Sequence, residues 1–184
     1  MKNIQEKIAL IDWESIKIRM HEKGFAVAAQ LLSDEDCRLL IDNYDDSNYY
    51  RKTITMERYR FGLGEYKYFT YQLPDLLQTI RKEIYSRLAP IANEWMAFLN
   101  TGKQFPATFE GLQKLCHDNH QTKPTVLILR YGKGGHNTLH QDLYGDVFFP
   151  IQAVLFLNEP DKDYTGGEFV LTQQTPRHNR KRLY

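Results

Sequence analysis

The sequence predicts an α+β domain with its chemistry on the β side. Three observations predict it. Apolar residues recur at helical spacing through most of the first 120 positions. From Pro124 the chain turns to β-branched runs bounded by Gly, Pro, Asn and Asp. No repeat, low-complexity tract or linker separates the two, so the 184 residues form one domain. Its boundaries are a helical part over about 1–120, a β-rich part over about 121–176 and a basic tail over 177–184.

The elements follow in order. Trp13, Ile16 and Met20 lie on one helix face and Gly24 stops it. Phe25–Val27 reads as a short strand. Ser33 caps the next helix, whose first turn is acidic and whose inner face carries Cys37, Leu40, Ile41 and Tyr44. Cys37 is thereby a core thiol. "KTITMERYRFGLGEYKYFTYQLP" gives two strand-like pieces around Gly62 and Gly64. Leu77, Ile80, Ile84, Leu88, Ile91, Trp95 and Leu99 form one helical stripe, which Pro90 is expected to kink or divide. "FEGLQKLCHDNH" is a second, shorter helix. "TVLILRYG", "FPIQAVLFLNEP" and "GGEFVLTQQ" are the strand candidates of the β-rich part.

Composition excludes several classes. A formal net charge of +1 gives no global attraction to nucleic acid or membrane. The two cysteines form no CxxC pair, which suits a reducing compartment. The N-terminus lacks the apolar core of a signal peptide, and no run is long enough to span a bilayer, so a cytoplasmic location with no membrane partner is expected. "YGKGG" lacks the GK[ST] ending of a phosphate loop. Cys116, His117 and His120 lie close together, but no second pair completes a zinc set. His136 and His140 have helical zinc spacing in a stretch whose glycines oppose a helix.

"LHQD" holds the sharpest signal. On a strand, alternate residues share a face, so His140 and Asp142 point together while Gln141 points away. An imidazole and a carboxylate so placed are two-thirds of a 2-His-1-carboxylate triad for Fe(II). An exposed hydrogen-bonded pair gives the same spacing.

The surrounding order resembles a known family. "RYGKGG" before "LHQD", followed by an apolar strand and "TGGEFVL", resembles the core of the 2-oxoglutarate/Fe(II) dioxygenases, in both the prolyl-hydroxylase-like and the alkylated-nucleic-acid-repair branches. "GFAVAAQLLSDEDC", "TITMERYRFGLGEYKYFTYQLP" and "QTKPTVLILRYG" extend the likeness to a bacterial subgroup, some of whose members are described as oxygenases acting on damaged DNA. The resemblance covers about residues 20–177.

It implies a double-stranded β-helix (jelly-roll, cupin-like) core preceded by helices, with Fe(II) and 2-oxoglutarate as cofactors. His140 and Asp142 would be metal ligands. Tyr131 would contact 2-oxoglutarate. Leu129 replaces an asparagine of the DNA-repair branch, and Phe156 replaces a co-substrate tyrosine, with Gln152 on its face as the compensating polar group. The family's second histidine and basic co-substrate partner come from later strands. Here only His178 follows, in the polar tail "TPRHNRKRLY" with Arg177, Arg180, Lys181 and Arg182. The C-terminal strands are therefore expected to be missing, as in a fragment or a degenerate member.

Two functional readings stand. One is a 2-oxoglutarate-dependent dioxygenase that uses molecular oxygen to hydroxylate a C–H bond in nucleic acid, a peptide or a small molecule, by oxidative demethylation or prolyl hydroxylation. The other is a non-catalytic binding module of the same fold. In either case "MERYRFGLGEYKYF" interleaves Arg58, Arg60 and Lys67 with Tyr59, Tyr66 and Tyr68. Arg58 and Tyr66 are its candidate substrate contacts.

Overall fold

Polar caps set where the helices begin. A computed structural model describes residues 3–142 and 145–173. Asn3 and Glu6 form a capping box at α1 (Ile4–Ala9), and Asp12 caps α2 (Trp13–Lys23). Gly24 ends α2 in the left-handed conformation, φ 76°. Ser33 and Asp36 box the start of α3 (Asp34–Asp42). The long helix α4 (Asp75–Phe98) and the Thr108-capped α5 (Phe109–Asp118) complete the set.

Two small antiparallel sheets accompany them. β1 (Tyr50–Thr55), β3 (Glu65–Phe69) and β4 (Leu127–Arg130) form one sheet in the order β1-β3-β4. β2 (Gly62–Leu63) and β5 (His136–Asn137) form the other. In the larger sheet Lys67 pairs with Thr53 and Ile128, and Tyr66 pairs with Ile54 and Leu129. Register partners share a face, so the two faces separate cleanly. Phe69 and Ile128 pack with Leu40 and Tyr44 of the α3 region and with Leu73 and Leu77. Tyr66, Tyr68, Leu127 and Leu129 occupy the opposite face.

α4 is the spine of the core. The expected stripe holds at Leu77, Ile80, Leu88 and Ile91, which are buried, while Leu99 is exposed at the cap. A second stripe of Tyr85, Ala89, Ala92 and Met96 is buried as well, so α4 is covered on two sides. Phe149 packs against three of the core clusters and lies 5.1 Å from the rings of both Tyr85 and Phe105.

Three sequence expectations are corrected here. α4 passes through Pro90 undivided. Pro90 sits on the exposed side, where the Ser86 carbonyl it leaves unpaired is open to water, while buried Leu88, Ala89, Ile91 and Ala92 clamp both halves. Phe25–Val27 forms no strand. "FPIQAVLFLNEP" and "GGEFVLTQQ" show no ladder among the described residues, apart from a single bridge between Pro160 and Tyr164. Alternation still orients the first of these: Ile151, Leu155 and Leu157 pack inward, and Gln152, Val154 and Phe156 are exposed. A strand needs a hydrogen-bonded neighbour, which period-2 patterning does not supply.

On the helix-covered face, Tyr44 is held between two cations. Lys67 Nζ lies 4.2 Å and Arg130 Cζ 4.1 Å from its ring centre, and its hydroxyl donates to Glu65 at 3.0 Å. Burial, then the bond to Glu65, pushes the Tyr44 phenol far up. Burial also pushes Tyr50 and Tyr85 up to about 12. All three stay protonated in the folded chain over a range where the unfolded chain, with phenols near 10, ionises. Stability is therefore fully present below about pH 10 and lost as pH rises toward 12, at up to about 1.4 kcal/mol per pH unit for each tyrosine. Urea melts across that range check this; a flat profile contradicts it.

Candidate metal centre

The small β2–β5 sheet leads to His140. A glycine turn leads into β5, with Gly134 at φ 75° and the Gly135 amide donating to the Gly132 carbonyl at 2.9 Å. Gly62 pairs with Asn137 at φ 139°, and a Cβ there would fall onto the His136 carbonyl and within 2.9 Å of Asn137 Cα. The strands approach this closely because Gly62 has no side chain. Beyond β5, Thr138 donates twice to the Phe61 carbonyl, from its amide at 2.7 Å and from Oγ1 at 3.0 Å. The Thr138 carbonyl in turn lies 2.7 Å from His140 Nδ1.

That last contact decides the tautomer. A carbonyl only accepts, so Nδ1 carries the proton and donates it. Nε2 then faces Asp142, 3.5 Å from Oδ1. The other carboxylate oxygen, Oδ2, accepts from Gln152 Nε2 at 2.9 Å. Two acceptors facing each other repel unless a cation stands between them, either a proton on Nε2 or a metal ion. Both side chains are oriented by groups behind them, His140 by the Thr138 carbonyl and Asp142 by Gln152. The pair opens to solvent, with side-chain exposures of 44% for His140 and 40% for Asp142. Val147 is held by Gln121, whose amide accepts from the Val147 N–H at 2.7 Å and donates to the Val147 carbonyl at 2.8 Å.

The other candidate residues are distributed as follows. Gln152 stands on the carboxylate of Asp142. The Tyr131 ring lies against Gly64, between β2 and β3, where an added Cβ would come within 2.9 Å of it. Partial burial pushes the Tyr131 phenol up, and a hydrogen bond with the Asn137 side chain opposes this. Phe156 is exposed and meets Phe169 edge-on at 5.7 Å. Arg58 lies in the short helical turn Met56–Tyr59, and Tyr66 in β3, edge-on to Tyr68 at 5.5 Å. Lys67 is separated from both: it turns to the helix side and donates to the Tyr44 carbonyl at 2.9 Å and to Asp45 at 3.3 Å. His178 and the basic tail lie outside the described residues. Cys116 is half-buried, and burial pushes its thiol up. Among the described residues no group of three or more His, Cys, Asp and Glu converges.

Sequence reasoning missed Thr138, Phe61 and Gln121. Phe61 acts here through its backbone carbonyl and Thr138 meets His140 through its own, and a carbonyl leaves no mark in residue type. Gln121 had no signal beyond its place after the α5 cap.

The fold and site together define a mixed α/β domain with small antiparallel sheets and an imidazole–carboxylate pair after a glycine turn. Comparison places it in a family. The chain belongs to the Oxygenase-NA family, described as oxygenase, catalysing oxidative methylation of damaged DNA, whose model matches residues 64–183. Two Mycobacterium tuberculosis proteins, Uncharacterized protein MT2286 (strain CDC 1551 / Oshkosh) and Uncharacterized protein Rv2227 (strain ATCC 25618 / H37Rv), are each 41% identical to it over 109 residues. That stretch is 59% of this chain and 47% of each relative, so the match spans about half their length. No solved structure matches it. No described helix is long and apolar enough to cross a membrane.

Proposed function

We propose that this chain carries the metal-binding half of an Fe(II)/2-oxoglutarate-dependent oxygenase acting on damaged nucleic acid. One observation carries the reading: the Thr138 carbonyl orients His140 through Nδ1–H, so that Nε2 faces Asp142 Oδ1 at 3.5 Å. Nε2 and Oδ1 would hold the ion, and Gln152 keeps the carboxylate turned toward it. Borderline N and O donors in this pairing suit Fe(II) and leave coordination positions for water and a chelating 2-oxo acid. When bound, iron and 2-oxoglutarate supply the oxygen activation needed to insert oxygen into a C–H bond.

The chain's own residues contribute the rest. The Thr138 carbonyl holds the imidazole tautomer, Gln152 holds the carboxylate, and Gln121 holds the backbone at Val147. The larger sheet, helix-covered on one face and bearing Tyr66, Leu127 and Leu129 on the other, fits the wall of a double-stranded β-helix. The description of the family as acting on damaged DNA supports a nucleic-acid substrate over a peptide or small molecule.

Manganese titration followed by electron paramagnetic resonance tests the site, because Mn(II) takes similar donors. A saturable signal is expected in the wild type, weakened about tenfold or more by His140→Ala or Asp142→Ala. Equal binding by all three proteins would sink the half-site. Succinate formation with and without methylated oligonucleotides then tests the reaction.

A further inference from the structure

We infer that Tyr59 and Phe61 form a base-stacking platform that presents single-stranded DNA to the His140 half-site. This rests on the oxygenase reading for what lies beside the platform.

The two rings are stacked, with centres 5.6 Å apart and planes 18° from parallel. Both are exposed, 53% for Tyr59 and 42% for Phe61. Residues two apart come to stack because Arg60 between them adopts the left-handed conformation, φ 60° and ψ 29°. The turn that does this is braced. Met56 is fully buried beneath it, its amide donates to the Gly64 carbonyl at 2.9 Å, and the Phe61 amide returns to the Met56 carbonyl at 3.1 Å. Two aromatic rings held face to face in water by a fixed turn are preorganised, so a base added to the stack orders little else.

Position links the platform to the chemistry. The Phe61 carbonyl receives both Thr138 bonds, and the Thr138 carbonyl receives the His140 ring. The stack therefore stands two hydrogen-bonded links from the ligand imidazole. Charge selects the occupant. Arg58 and Arg60 flank the rings, are exposed and have no ion-pair partner among the described residues, and exposed Lys133 lies in the adjoining glycine turn. Aromatic faces with unpaired guanidinium groups beside them match bases and phosphates of a strand whose bases are already unstacked. A duplex would hide those faces unless a nucleotide were extruded.

The test is fluorescence anisotropy with the full chain and a labelled DNA strand of about 12 nucleotides, alone and annealed to its complement. Single strand should bind better than duplex. Tyr59→Leu with Phe61→Leu should weaken single-strand binding roughly tenfold or more, while Tyr59→Trp, which keeps a stacking face, should bind as the wild type does. Arg58→Gln with Arg60→Gln should flatten the salt dependence by about 0.7 for each phosphate left without its cation. Where the leucine variant fails to fold, photocrosslinking of wild type to a 5-iodouracil strand decides: cross-links mapping to Tyr59 or Phe61 support the platform, and cross-links only elsewhere overturn it. Unchanged affinity in a folded leucine variant overturns the platform and leaves a DNA substrate standing. No single-strand binding by a wild type that still binds Mn(II) overturns the platform and the DNA reading but spares the metal site. Self-association abolished by the leucine pair would show the rings to be an interface between copies, and also overturns it.

Discussion

Gly62→Ala will disable the half-site without touching either ligand. The added Cβ would press on the His136 carbonyl and Asn137 Cα, and alanine is strained at φ 139°. Neighbouring backbone has to move, and what moves is β5, which runs directly into Thr138 and so into the Nδ1 partner of His140. The expected cost is roughly 2–4 kcal/mol of stability, from strain and a broken strand pair. Mn(II) affinity should fall about tenfold or more, as when a group behind a ligand is removed. Gly132→Ala is the control, since a Cβ there meets nothing within 4 Å. A Gly62→Ala protein with wild-type melting and metal binding would show that the β2–β5 pairing does not position the imidazole.

Which parts of this are legible in the sequence follows from the range of the forces involved. Helices and their ends are legible because the information is local: Asp12, Ser33 and Thr108 bond to amides three residues on, and Gly24 reverses the chain by itself. The sequence places His140 and Asp142 on one strand, but 138–142 form no strand, and the two side chains are brought together by the Thr138 carbonyl and the Gln152 amide. The second buried stripe of α4 is not legible, because Tyr85, Ala89 and Ala92 take their meaning from Phe109, Phe105 and Phe149, which are distant in sequence. The strands expected near 150–157 and 166–173 fail at the same point: a ladder is a property of two segments, and the sequence of one specifies only its faces. Alternation puts Gln152 on the right face, but the family resemblance gives it the co-substrate as partner. In the structure its amide meets the carboxylate ten residues earlier. Composition groups Lys67 with the substrate-facing aromatics, yet strand parity alone puts it with Glu65 and Phe69.

Asp142→Ala separates a metal ligand from a structural aspartate by how the melting temperature responds to added ion. The Asp142 carboxylate is 40% exposed, and its hydrogen-bonding partner is the exposed Gln152 amide. Without metal its removal should cost little, about 1 kcal/mol or less, because both groups left behind can be hydrated. With Mn(II) the two proteins should part. An ion that binds only the folded chain stabilises it by RT ln(1 + [L]/Kd), about 2.7 kcal/mol at a hundredfold excess over Kd. For a chain of this size that is a rise of about 5–10 °C in melting temperature. The wild type should show the rise, and Asp142→Ala should not. Asp142→Asn sharpens the comparison: it preserves shape and one acceptor oxygen but removes the charge, so it should melt as the wild type does without metal and gain little from it. The opposite pattern, a drop of several degrees in the metal-free variants and no response to Mn(II) in any protein, would mean that His140, Asp142 and Gln152 are a hydrogen-bonded clasp closing the chain after the glycine hairpin, and that the ion site lies elsewhere.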